Sequence, residues 1–352
     1  MSKIKVGVLG ATGTVGQRFI TLLQGHPYFE LSEVAASERS SGKAYAEAVA
    51  GRWKVAPDIP EEVAPMIVKE VEPGLDCRVV FSAMDASVAG PIEEKFAAAG
   101  YYVFSNSRNH RLDPDVPLLL PEINAEHVRV IDYQRENRRW KGFIVTNSNC
   151  STMGLVLPLK PLDVEFGLEA VNVVTLQAIS GAGYPGVSAL DIVDNVLPYI
   201  GGEEGKMERE PLKMLGHLEN GRTFVESEVK ISAQCNRVFV LDGHLECTSV
   251  SLHKKPSVEE FTRALAEFRG RPQELKLPSA PERPILVRTE EDRPQPRFDR
   301  DHGHGMSITV GRIRPCNVLD FKFLILSHNT VRGAAGASIL NAEYLKAEGY
   351  FS

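Results

Sequence analysis

Two α/β parts are predicted for this 352-residue chain: a parallel-sheet first domain and an α+β second domain whose sheet is largely antiparallel. Three observations carry the prediction. The first 145 residues alternate short apolar runs with helical patterns, the βαβ rhythm of a parallel sheet. A glycine-rich turn, Gly10-Ala11-Thr12-Gly13-Thr14-Val15-Gly16, follows the first apolar run and opens a helix. Beyond Cys150 the texture changes to β-rich, partly alternating runs. Length agrees, because a single core usually stops growing below about 300 residues.

In chain order the expected strands of the first part are Lys3–Leu9, Leu31–Ala36, Val79–Ser82, Tyr102–Phe104 and Phe143–Val145. Val15–Leu23 and Pro91–Ala99 read as the helices between them. In the second part Val171–Ile179, Phe224–Ala233, Arg237–Leu241 and Glu246–His253 read as strands, and Val258–Arg269 as an amphipathic helix. Pro278 to Pro296, rich in Pro and charge, reads as an extended loop. A last helix from about Thr330 to Glu348 begins Gly333-Ala334-Ala335-Gly336-Ala337, a small-residue run suited to close packing against the first domain. The expected division is therefore 1–149, completed by the C-terminal helix 330–352, and 150–329.

Composition narrows the class. With 43% hydrophobic and 24% charged residues the chain reads as an ordinary globular protein. Its 46 acidic and 40 basic side chains leave a net charge of −6 and no basic footprint for nucleic acid. No apolar stretch reaches the length of a membrane span. Met1-Ser2-Lys3-Ile4 runs directly into a strand, so no signal peptide is expected. The five cysteines form no C-x-x-C pair, so neither disulfides nor zinc are expected and a reducing cytoplasm fits. Asp301-His302-Gly303-His304 offers two histidines with no further ligand nearby and reads as a glycine-rich surface loop rather than a metal site.

The glycine turn suits a dinucleotide. Glycines permit a tight turn and close backbone approach, and the helix N-terminus receives a pyrophosphate, with Gly10, Thr12, Gly13, Thr14 and Val15 around it. This makes the first domain Rossmann-type. After the second strand, Ala36-Ser37-Glu38-Arg39-Ser40-Ser41-Gly42-Lys43 places Ser37 where NAD sites usually carry an acid. Arg39, Ser40 and Lys43 could cradle a 2′-phosphate, which favours NADP; Glu38 argues the other way if it points inward.

Asn147-Ser148-Asn149-Cys150-Ser151-Thr152 joins an apolar strand to an apolar helix, Met153 to Leu159. Cap-forming neighbours put Cys150 at the helix start, where free N–H groups and the dipole favour thiolate and could hold an oxyanion. The bland alternative is a buried structural cysteine. A thiol beside a nicotinamide suggests aldehyde chemistry, which also needs a proton-transfer group and a substrate anchor. Arg237, on a strand, and His244, after Gly243, offer these; taken alone, His244 reads more readily as a structural hydrogen-bonding residue than as a proton-transfer group.

S-N-C-S-T, the R-x6-H pair, the G-A-T-G-x-V-G turn and Ser180-Gly181-Ala182-Gly183 together resemble aspartate-β-semialdehyde dehydrogenases over nearly the whole chain. Gln177 to Gly186 and Asn329 to Gly336 resemble the archaeal and fungal branch. The resemblance implies Cys150 as nucleophile, His244 as general acid/base and Gln177 as an orienting group. It implies Arg237 for the substrate α-carboxylate, Glu203 for its ammonium, and Lys206, Arg111 and Asn149 for phosphate; the adjacent Glu204 leaves the register of Glu203 open. Ser180, Gly181 and Asn329 would face the cofactor. The implied reaction is NADPH-dependent reductive dephosphorylation of aspartyl 4-phosphate by a homodimer or homotetramer, on the route to lysine, threonine, methionine and isoleucine. Archaeal malonyl-CoA reductases resemble the same motifs, and Asn149 beside the cysteine separates the two. A non-catalytic NADP-binding regulator would not need Cys150, Gln177, Arg237 and His244 together.

Overall fold

The computed structural model of the protein describes residues 3–351; Met1, Ser2 and Ser352, included in the expected domain limits, lie outside the described residues. Five strands, β1 (Ile4–Leu9), β2 (Phe29–Ala35), β3 (Val79–Ser82), β4 (Tyr102–Ser105) and β5 (Phe143–Thr146), form one sheet in the order β2-β1-β3-β4-β5. Every pairing in it is parallel. Crossover helices α1 (Thr14–Leu22), α2 (Ala86–Ala98) and α3 (Val130–Arg138) connect the strands. Both faces are covered, and β3, β4 and β5 are buried along nearly their whole length. Val6, Val8, Phe81, Phe104 and Val145 enter one core with Phe19 and Ile20 of α1. Leu9, Val80, Val103 and Ile144 enter another with Phe96 of α2.

After β5 the chain enters α4 (Cys150–Phe166), then β6 (Leu168–Gln177), α5 (Glu203–Leu215) and the small hairpin β7 (His217–Glu219) and β8 (Thr223–Val225). β9 (Lys230–Arg237), β10 (His244–Leu252), α6 (Val258–Glu267), β11 (Ile285–Arg288), β12 (Ile308–Pro315) and β13 (Phe321–Ser327) follow. The second sheet runs β11-β12-β13-β10-β6-β9. Its central pairings are antiparallel, while β11–β12 and β6–β9 are parallel. Helix α4 lies on this sheet, packing Met153, Val156, Leu157 and Leu159 with Val171, Val173, Val250 and Phe323.

Tertiary packing overrules several local expectations. Helix α4 runs on through Pro158 and Pro161 to Phe166, because burial on nearly every side outweighs the lost intrahelical bonds. Helix α2 begins at Ala86, where Asp85 accepts the Ser87 N–H, and contains Pro91. The expected strand Phe224–Ala233 is two strands, β8 and β9, and only Arg237 of Arg237–Leu241 is in a strand. Within the supposed loop Pro278–Pro296, β11 pairs with β12, a long-range pairing that local Pro and charge content conceal. The last helix begins with a π turn, Val331–Ala335, and continues as α7 (Gly336–Ala347). Ile339, Leu340 and Leu345 of α7 pack into the first sheet's core.

Candidate active site

Cys150 is the first residue of α4, and Asn149 is its N-cap. The Asn149 side chain accepts the N–H groups of Ser151 (3.0 Å) and Thr152 (3.2 Å), which satisfies donors that every helix start leaves unpaired. Gly333 presses on the nucleophile from the π turn: a Cβ there would lie 2.7 Å from the Cys150 Cβ. The residue as a whole is half-buried. Burial and then the Glu203 carboxylate push its pKa up to about 12, against Arg237, Arg111 and Lys206. The expectation that the helix start leaves a resting thiolate is thus corrected. Desolvation of the anion exceeds what one helix terminus returns, and the resting group is a thiol.

Three strand ends supply the groups facing it. Gln177 closes β6, Arg237 closes the adjacent parallel β9 opposite it, and His244 opens the antiparallel β10. His244 Nε2 lies 3.3 Å from Cys150 Sγ. Its Nδ1 accepts the Ala178 N–H at 3.0 Å. An amide N–H can only donate, so Nδ1 carries a lone pair and the ring proton sits on Nε2, facing sulfur. Burial, then the Arg237 and His328 charges, lower the His244 pKa to about 3, so the ring is neutral. Arg237 donates from Nη1 to Ala178 O (2.9 Å) and Gln177 Oε1 (3.4 Å). Gly181 packs against this pair: a Cβ there would stand 2.9 Å from Arg237 Nη1 and 3.2 Å from His244 Cε1, so both side chains would have to shift.

Helix α5 forms the opposite wall. Read alone, Glu203, Glu204 and Lys206 resemble a solvated turn, yet they begin a helix whose Glu203 is buried. Glu203 accepts from Asn149 Nδ2 (2.8 Å), Gln177 Nε2 (3.4 Å) and Lys206 Nζ (2.5 Å). Glu204 turns away and accepts the Cys235 N–H on β9. Of the two acids, the fold brings Glu203 to the thiol. Arg111 donates to Glu210 Oε1 and to Asn106 O, both at 2.9 Å, and its Nε is buried without a partner. Glu210 is a residue the sequence reasoning missed. Its Oε2 accepts the Asn149 backbone N–H at 2.6 Å, tying Arg111 to the cap of the nucleophile. The available signal was helical: Glu210 is seven residues after Glu203, on the same face.

Asn329 accepts the Gly243 N–H (2.9 Å) and donates to Ser180 Oγ (2.8 Å), so Ser180, Gly181 and Asn329 gather around His244. A separate cleft of about 610 Å³ at the carboxyl end of the first sheet is lined by Gly10, Thr12, Gly13, Ser37, Glu38 and Arg39, among others. Gly10 has φ +78°, and a Cβ there would strike the Ala83 carbonyl. Gly13 caps α1 without a side chain, and a Cβ would meet nothing nearer than Gly10 O at 3.5 Å. The start of α1 thus lies beside the cleft with no side chain capping it, which fits a pyrophosphate. Thr14 and Val15 lie in that first turn, while Ser40 is buried behind the Ser37 turn and does not line the cleft. His302 of the histidine loop bonds the Thr309 hydroxyl.

A Rossmann-type cleft joined to a cysteine at a helix start, paired with a histidine on a strand end of the second sheet, defines a nucleotide-dependent enzyme of the thiol-using dehydrogenase class. Residues 5–131 match the family described as semialdehyde dehydrogenase, NAD binding domain, and residues 159–332 its dimerisation domain. The chain is 52% identical to the aspartate-semialdehyde dehydrogenase of Archaeoglobus fulgidus, over 97% of this chain and 98% of that one. It is 48% identical to that of Saccharomyces cerevisiae, over 97% of each. The crystal structure of the Candida albicans enzyme with NADP superposes with a TM-score of 0.91 at 49% identity, covering 99% of this chain and all of that one. This chain belongs to the aspartate-semialdehyde dehydrogenase family.

Proposed function

We propose that this protein reduces L-aspartyl 4-phosphate to L-aspartate 4-semialdehyde with NADPH, releasing phosphate, in the biosynthesis of lysine, threonine, methionine and isoleucine. One observation carries the reading: the 3.3 Å contact of Cys150 Sγ with His244 Nε2 is ringed by Arg237, Glu203, Lys206 and Arg111. Those charges match a substrate bearing a carboxylate, an ammonium and an acyl phosphate. Arg237 would hold the carboxylate, Glu203 the ammonium, and Arg111 and Lys206 the phosphate, with Asn149 beside it.

The sulfur of Cys150 attacks the acyl carbon, the C–O bond to phosphate breaks, and a thioester forms. The α4 N–H groups favour the oxyanion of the addition step. Bound NADPH supplies the hydride that reduces the acyl carbon. The C–S bond then breaks, the aldehyde is released, and the sulfur leaves as a thiolate that accepts a hydrogen bond from His244 Nε2–H and regains its proton from solvent. At rest Nε2 carries the proton and Nδ1 accepts the Ala178 N–H, so His244 has no free lone pair for the thiol proton; its proposed part in the acid/base role that the resemblance implies is to hydrogen-bond the sulfur while the returning proton comes from solvent. The thiol proton passes instead to the substrate's phosphate oxygens, the base that the reactant itself brings. Gly10, Thr12, Gly13 and the start of α1, including Thr14 and Val15, would hold the pyrophosphate. Arg39 and Ser37 would hold the 2′-phosphate, and Ser180, Gly181 and Asn329 the nicotinamide end.

The functional division is 1–149 with the C-terminal helix, and 150–329. A homodimer or homotetramer is supported by exposed Leu190, Tyr199, Phe239 and Leu241, which flank the Arg237 segment. The free state of all five cysteines supports a reducing cytoplasm, and among the described residues no helix is long and apolar enough to cross a membrane. The test is spectrophotometric: NADP reduction with aspartate semialdehyde, with and without phosphate, and in parallel with NAD. Phosphate-dependent reduction of NADP is expected. Reduction of malonyl-CoA without that activity would overturn the reading.

A further inference from the structure

Glu246 lies two residues beyond His244 on β10 and takes no part in the chemistry above. Its side chain is fully buried. Alternate residues of β10, His244, Glu246 and Thr248, are all buried and share the sheet face beneath α4. Thr175 of β6 and Ile325 of β13 stand directly opposite Glu246, and Ser327 stands opposite His244. Both Glu246 carboxyl oxygens, Thr248 Oγ1 and Ser327 Oγ lack any hydrogen-bond partner. Four such atoms on one closed face are unusual, since buried polar groups are almost always paired.

The carboxyl also abuts the nucleophile's helix. A Cβ on Gly154 would fall 3.1 Å from Glu246 Oε1 and 3.0 Å from Ser327 Cβ. Gly154 is one turn after Cys150, on the same face of α4. Among the described residues no cation faces the carboxyl, and burial alone raises its pKa well above the usual carboxylate range. A neutral acid has an O–H to give and a carbonyl to accept, which complements the unpaired Ser327 and Thr248 hydroxyls on the same face.

We propose that Glu246 is a positioning residue for the nucleophile: its buried carboxyl forms, with the Ser327 and Thr248 hydroxyls, a polar cluster that seats the first turns of α4 over β10. This rests on the reading of Cys150 as nucleophile and His244 as its partner. If the cluster is only a leftover polar defect, an apolar replacement of similar shape is harmless or stabilising and leaves the rate alone.

The experiment compares Glu246→Met and Glu246→Gln with the wild-type protein. In E246M the melting temperature is expected unchanged or raised. Its kcat should fall about tenfold with KM for aspartate semialdehyde and NADP within about twofold, as slight misplacement of reacting groups predicts. E246Q, which keeps a donor and an acceptor, should recover the rate to within about threefold of wild type. The infrared difference between wild type and E246Q at neutral pH should contain the band of a protonated carboxyl. Iodoacetamide alkylation of Cys150, which needs no substrate, should slow in E246M and not in E246Q. Wild-type rate and alkylation in E246M, an E246Q as slow as E246M, or absence of the band would each overturn the proposal. If the wild-type protein shows no phosphate-dependent turnover, the functional reading fails, and the infrared and alkylation results still decide the role of Glu246.

Discussion

The two clefts of this molecule are built on opposite plans. The nucleotide cleft gathers short loops at one end of the parallel sheet, Gly10 to Gly13, Ala36 to Arg39, Glu70 to Glu72 and Ala83 to Asp85, and its glycine turn offers backbone, with no room for a side chain at Gly10. The thiol site is made of side chains from residues 111, 149–150, 177, 203, 237 and 244, which meet only because β6, β9 and β10 end together beside α4 and α5. A backbone site is robust to most substitutions around it. A side-chain site depends on every supporting contact, and single changes there should have far larger consequences.

The largest effect tests that contrast directly. Cys150→Ser should reduce turnover by about four orders of magnitude or more, while NADPH binding, followed by fluorescence titration, stays at the wild-type level. Loss of NADPH binding would mean that the two clefts are not separable. Next comes pH. With the Cys150 pKa near 12 and the His244 pKa near 3, the thiolate fraction of the resting site rises with pH throughout the neutral range. Alkylation of Cys150 should therefore accelerate about tenfold per pH unit from roughly pH 6 to 9. A flat profile across neutral pH would show a thiolate–imidazolium pair and refute the Ala178-fixed tautomer.

Gly181→Ala should lower kcat/KM about a hundredfold with little change in melting temperature, because its Cβ displaces Arg237 and His244. An unaffected rate would show that the strand ends yield to it. The smallest effect belongs to the backbone site, where Arg39 is the cationic side chain lining the cleft. Arg39→Ala should raise KM for NADPH by roughly tenfold and leave that for NADH unchanged, consistent with loss of one charge-assisted phosphate contact. Equal losses for both cofactors would remove Arg39 from the 2′-phosphate.

Legibility in the sequence followed the same division. The strands of the first sheet were readable to within a residue or two, because βαβ periodicity is a local signal, and so was the glycine turn. Cys150 at a helix start was readable from its Asn149 cap. The strand at Ile285–Arg288 was not, since its only partner is β12, twenty or more residues on. Nor was Glu210, whose significance lies in meeting Arg111 and the Asn149 amide, residues 99 and 61 positions away. The choice of Glu203 over Glu204 needed the helix, because only a fixed rotation decides which of two adjacent acids faces the thiol.

By itself the sequence determined what short-range physics controls: periodicity, caps, turn glycines, and the resemblance those motifs carry. The tertiary structure decided protonation and orientation. It made Cys150 a resting thiol by burying it, held His244 as the Nε2–H tautomer through the Ala178 amide, and placed an unpaired acid, Glu246, under the nucleophile's helix. These are properties of desolvation and of contacts between distant strands, and neither exists until the chain has closed around them.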